Sequence, residues 1–159
     1  MKHVLDKFRL DGKTALITGG SQGLGLAMAT ALAQVGASVV IAGRSLEKAQ
    51  AAAAQIAAET NQKATAIALD VTSADSVDGV VNAIEADGPI DVLINSAGNN
   101  ARGPAHELKE SDWDFVVDTN LKGTFLVSRA VGPRMVKRGW GRVINLGSIL
   151  DRKSTRLNS

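Results

Sequence analysis

The chain has 159 residues, 45% of them hydrophobic and 21% charged, enough for one domain with a real core. It holds no cysteine and only His3 and His106, which excludes disulfides and thiolate metal sites and argues against a histidine-built metal centre. Within residues 151–159, Arg152, Lys153 and Arg156 stand against Asp151 and account for the whole net charge of +2. The body of the chain therefore offers no basic face for nucleic acid.

Residues 1–6 lack the shape of a signal peptide, and a cytoplasmic location is expected. Residues 14–43 carry no charge, but glycines and hydroxyl residues interrupt them, so they read as strand, turn, helix, turn and strand rather than a membrane span. Residues 8–13 lead into strand one, 14–18. There follows Thr18-Gly19-Gly20-Ser21-Gln22-Gly23-Leu24-Gly25, and then a helix to about residue 35 in which Leu24, Met28, Ala31 and Val35 recur at helical spacing. Strand, glycine turn, helix is the context in which such a turn binds a pyrophosphate. The glycines let backbone N–H groups approach, and the helix points its positive end at the same place.

Strand two is 38–42, a buried-type run. Ser45 is the expected N-cap of a second helix running to about residue 60. Strand three is 64–69, ending at Asp70-Val71. Thr72 or Ser73 caps a third helix, whose Val77, Val80, Val81 and Ile84 share a face. Gly88-Pro89 breaks it. Strand four is 91–95, a loop with Gly98, Gly103 and Pro104 follows, one long helix occupies about 111–137, and strand five is 142–146. This alternation predicts an α/β, doubly wound parallel sheet of Rossmann type, with the ligand beyond the carboxyl ends of the strands, near the switch point between strands one and four.

The turn spacing, Gly19-x3-Gly23-x-Gly25 behind Thr18, resembles the TGxxxGxG turn of the short-chain dehydrogenase/reductase family. So do Asp70-Val71 after strand three and Asn95-Ser96-Ala97-Gly98 after strand four, where the family usually has NNAG. Asn120 in Asp118-Thr119-Asn120-Leu121-Lys122-Gly123 and Ser148 after strand five extend the match. The resemblance implies a nicotinamide-dependent oxidoreductase, closest in look to ketoreductases of sugar acids, polyols or 3-oxoacyl groups. It implies that Gly19, Ser21, Gln22, Gly23, Leu24 and Gly25 cradle the cofactor and that Asp70 and Val71 meet the adenine. Asn95 would bridge neighbouring strand backbones, while Ala97 and Gly98 let the ribose approach. As catalytic residues, Asn120 would hold a relay water and Ser148 would hydrogen-bond the substrate carbonyl. A small carbonyl or alcohol substrate and a homo-oligomeric parent are implied with them. At the end of strand two stands Gly43-Arg44-Ser45, without an acidic residue. Arg44, with Ser45, favours the 2′-phosphate of NADP over NAD, although Gln22 leaves the glycine turn without a second basic residue.

The family's chemistry uses a Tyr-x-x-x-Lys after the serine, and this chain has no tyrosine. Without that pair the chain as given is expected to be inactive. Residues 1–150 are expected to be an incomplete dinucleotide-binding domain whose sheet stops after about strand five, leaving that strand an open edge. Residues 151–159 read as a non-native tail that resembles the translation of a sequencing-adapter oligonucleotide. Three other readings compete. A redox-sensing dinucleotide module has no need of Asn120 and Ser148. A nucleotide-sugar epimerase or dehydratase usually shows TGxxGxxG. A methyltransferase would leave Asn95, Asn120 and Ser148 unexplained.

Overall fold

Apolar strand runs without polar alternation need cover on both faces, and a parallel sheet between two helical layers supplies it. The computed structural model describes residues 3–148. A short 3₁₀ helix, Val4–Phe8, leads into β1 (Thr14–Thr18), α1 (Gly23–Gln34), β2 (Ser38–Gly43) and α2 (Leu46–Thr60). Then come β3 (Ala64–Ala68), α3 (Ala74–Asp87), β4 (Val92–Asn95), α4 (Glu110–Val117), α5 (Gly123–Arg138) and β5 (Arg142–Asn145). The strands lie in the order β3-β2-β1-β4-β5, and every pairing is parallel. The order reverses between β1 and β4, so the expected switch point is present.

Side chains alternate across the sheet and feed two cores. Leu16, Val40 and Leu93 are in register with one another and pack under α3 and α5, against Val77, Val81, Val127 and Val131. Ile17, Ile41 and Ile94 point the other way, under α1 and α2, against Ala29, Ala33, Ala53 and Ile56. The expected face of α3 is correct, and Ser73, of the two candidates, caps it.

The face of α1 is different from the expected one. Gly25, Ala29 and Ala33 are its buried positions, while Leu24 is 72% exposed and Ala31 is exposed. The helix brings its backbone close to the sheet along this line of small residues, while Leu26, Leu32 and, of the expected set, Met28 pack partly buried against the same core. The long helix expected over 111–137 is also interrupted. A π-helical turn, Asp118–Lys122, joins α4 to α5. It turns Thr119 inward, while Leu121 is 69% exposed.

β5 is the outer strand of the described sheet, with Val143 and Ile144 more than two-fifths exposed, the kind of edge that invites pairing. Among the described residues no helix is long and apolar enough to cross a membrane. The expected tail, residues 151–159, lies outside the described residues.

Candidate functional site

Five strand ends and the N-terminus of α1 build one cleft. At its floor the chain segments meet backbone to backbone. Gly19 has φ +66°, and a Cβ there would come 2.8 Å from the Ala97 backbone, so the β1 turn and the loop after β4 touch at a place where only glycine fits. The Thr18 hydroxyl fastens that contact by accepting the N–H groups of Ser96 (3.2 Å) and Ala97 (3.1 Å). Gly19 N donates to Ala42 O at 2.8 Å, which ties the turn to β2 as well.

α1 rises directly from this turn. Its N-cap, Gln22, makes no side-chain hydrogen bond to the first helical turn. In contrast, Ser45 caps α2 by accepting from Lys48 N, and Ser73 caps α3 by accepting from Ser76 N, each at 3.3 Å. The first-turn donors of α1 are thus left for an anion, with the helix dipole behind them.

The cleft encloses about 610 Å³. Its glycine-turn wall is made of Gly19, Ser21, Gln22, Gly23, Leu24 and Gly25. Arg44, Ser45, Asp70, Val71, Ala97 and Gly98 extend the lining with residues that follow β2, β3 and β4. Every expected cofactor contact is therefore gathered in one place except Asn95.

Asn95 lies beneath the cleft, 4% exposed. Its Nδ2 donates to Ser128 Oγ at 3.0 Å and to Asn145 Oδ1 at 2.8 Å. Its side chain braces α5 and β5 through their side chains, not their backbones as the resemblance implied.

Asp70 turns back on its own loop. Its Oδ1 accepts from Thr72 Oγ1 at 2.7 Å and from Thr72 N at 2.9 Å. The Thr72 hydroxyl, then its backbone N–H, hold the carboxyl below the ordinary carboxylate range. Arg44 adds a smaller pull, and partial burial opposes all three.

Neither expected catalytic residue is part of the cleft lining, but Asn120 sits against Gly98, its Oδ1 3.4 Å from where a Cβ there would stand. Asn120 sits in the π-helical turn, where its Oδ1 accepts Asn99 N at 2.9 Å and its Nδ2 donates to Asn99 O at 3.0 Å. Its backbone carbonyl accepts from Thr124 Oγ1 at 2.8 Å. Its side chain therefore pins the loop that follows β4. Ser148 lies exposed beyond the end of β5.

Sequence reasoning missed several lining residues. Lys48 adds a second cation to the lining, from α2 and not from the glycine turn. It stands one helical turn after Arg44, a spacing that could have been read. Phe115, Asp118 and Thr119 also line the cleft. Their presence depends on how α4 and the π-helical turn dock, and no local signal announces it.

A doubly wound sheet with an uncapped helix end facing a cleft at its switch point is a nucleotide-binding α/β arrangement of Rossmann type. The chain belongs to the short chain dehydrogenase family, whose model matches residues 13–158. It is 44% identical over 145 residues to the gluconate 5-dehydrogenase of Gluconobacter oxydans (strain 621H), covering 91% of this chain and 56% of that protein. It is 44% identical over 142 residues to the D-threitol dehydrogenase of Mycolicibacterium smegmatis (strain ATCC 700084 / mc(2)155), covering 89% and 54%. Among solved structures, it resembles a gluconate 5-dehydrogenase from Burkholderia cenocepacia J2315 in complex with NADP and tartrate. The TM-score is 0.89 at 39% identity, covering 96% of this chain and 60% of that one. The chain thus spans about half the length of the curated relatives it matches.

Proposed function

We propose that the whole protein is a nicotinamide-dependent oxidoreductase that moves a hydride between the cofactor and a polyhydroxylated carbonyl or alcohol. The observation that carries this is the cleft itself, a glycine turn under an uncapped helix end, with two cations, Arg44 and Lys48, in its lining. The pyrophosphate would lie on the first turn of α1. Arg44 and Lys48 would take the 2′-phosphate of NADP, which makes NADP the preferred cofactor over NAD. The names of the relatives support a sugar acid or polyol as substrate. Neither a redox sensor nor an epimerase is favoured by the family match.

The cofactor supplies the hydride, and the protein supplies position and protons. Ser148 would hydrogen-bond the substrate oxygen as charge develops on it. Asn120 would hold the loop after β4 in place and keep a relay water beside it. The chain has no tyrosine to act as proton donor, so residues 1–159 should bind dinucleotide without turnover. The exposed Trp113, Leu121 and Phe125 on α4, the π-helical turn and α5 support self-association of the whole protein.

The test is titration of NADP and NAD against the chain and Arg44→Ala. Loss of a charge-assisted contact should weaken NADP about 10- to 100-fold and leave NAD little changed. Equal binding of the two, unaltered in Arg44→Ala, would refute the cofactor assignment.

A further inference from the structure

Arg44 is an exposed residue of the cleft lining, yet it is not a loose side chain. Its guanidinium carbon stands 5.7 Å from the ring centroid of Phe115, within the range of a cation–π contact. Arg44 follows β2 and Phe115 lies in the last turn of α4, so the contact joins two separate elements of the cleft lining.

The far side of this contact is held firmly. The Phe115 carbonyl accepts from Thr119 Oγ1 at 2.9 Å and from Asn99 Nδ2 at 3.1 Å. That anchors the residue to both the π-helical turn and the loop after β4. The residue nevertheless remains 45% exposed and lines the cleft.

Asp70, a carboxylate of the same cleft, has its Oδ1 engaged by Thr72 and attracts Arg44 only as a charge nearby. The side chain in contact with the Arg44 guanidinium is a neutral ring. A ring fixes the direction of a guanidinium while leaving its positive charge and its N–H edge for an incoming anion. A carboxylate ion pair would take up both.

We propose that Phe115 is a positioning residue that presents the Arg44 guanidinium to the 2′-phosphate, and so sets the preference of this cleft for a phosphorylated dinucleotide. The proposal rests on the cofactor reading above and deepens it. Arg44 makes the contact, and Phe115 removes the conformational freedom that Arg44 would otherwise lose on binding.

The experiment measures calorimetric titrations of NADP and NAD with the chain, Phe115→Leu, Phe115→Tyr and Arg44→Ala. Phe115→Leu keeps an apolar side chain and removes the π face. It should weaken NADP about two- to fivefold more than it weakens NAD, the worth of an exposed cation–π contact. Phe115→Tyr keeps the π face and should keep the parent ratio; a merely structural role would move both cofactors together in Phe115→Leu and leave their ratio alone. In the unliganded chain, the Arg44 Hε resonance should show a ring-current shift that disappears in Phe115→Leu.

If Phe115→Leu changes both cofactors equally or neither, while Arg44→Ala still abolishes the preference, Phe115 is only wall. The cofactor reading then survives and this proposal does not. If Arg44→Ala itself leaves the ratio unchanged, the cofactor reading fails and takes the proposal with it.

Discussion

Gly25→Ala is the sharpest test of how α1 sits on its turn. A Cβ at Gly25 would stand 2.4 Å from Gly19 O, 3.0 Å from Gly19 C and 3.1 Å from Gly20 Cα, against ordinary contact from 3.4 Å outward. These are backbone atoms of the turn that lines the cleft, so no side-chain rotation relieves the clash. About 1 Å of separation between helix and turn must open. Overpacking of this kind costs about 1–3 kcal/mol. The helix preference of alanine over glycine returns about 1 kcal/mol at most, and less in a first turn.

The net expectation is a loss of about 1–2 kcal/mol, or about 2–8 °C in melting temperature for a domain of this size. Binding of NADP should weaken too, because the displaced atoms belong to the expected phosphate cradle. Gly79→Ala is the matched control. Gly79 lies in α3, and a Cβ there would meet nothing within 4 Å. That variant should gain about 0.4–1 kcal/mol and melt about 1–4 °C higher. Circular-dichroism melts of the three proteins, with NADP titration, decide the matter. If Gly25→Ala melts at or above the parent temperature and binds NADP as well, the close approach of helix and turn is not what the fold requires.

Two other expectations concern the cleft floor and its acidic side. Thr18→Val should leave the N–H groups of Ser96 and Ala97 without their acceptor, at a cost of about 1–3 kcal/mol. Thr18→Ser should recover most of it in the same melts, and equal stability of all three proteins would contradict the role given to that hydroxyl. Asp70 keeps its charge in the folded state to lower pH than in the unfolded chain, where its carboxyl has the ordinary value of 3.8. Its stabilising effect is therefore complete above that value and is lost as pH falls through the lower, folded value. Melts of Asp70→Asn in this acid range should show a flatter pH dependence than the parent, and parallel curves would mean that the Thr72 contacts do not hold the charge.

Much of this protein is readable along the chain because its signals are local. The uninterrupted apolar runs at β1, β2 and β4 demand cover on both faces, and the helices between them leave a parallel sheet as the arrangement that provides it. The glycine spacing of residues 19–25 needs only its own strand and helix to make sense. Ser45 announces the start of α2, and the pair Thr72-Ser73 that of α3, because a cap acts within one helical turn; the structure chooses Ser73 of the two.

What the chain order could not supply depends on distances between segments. The inward face of α1 was decided by how near its backbone had to come to the sheet, which favoured Gly25, Ala29 and Ala33 over the larger Leu24. The π-helical turn was decided by the docking of α4 and α5, and with it the places of Phe115 and Thr119 in the cleft. Asn95 meets Ser128 and Asn145 across 33 and 50 residues of sequence. Arg44 meets Phe115 from another strand end altogether. Hydrogen-bond and ring contacts of this kind act over a few ångströms, so residues remote in sequence take on their roles only when the packed layers bring them together.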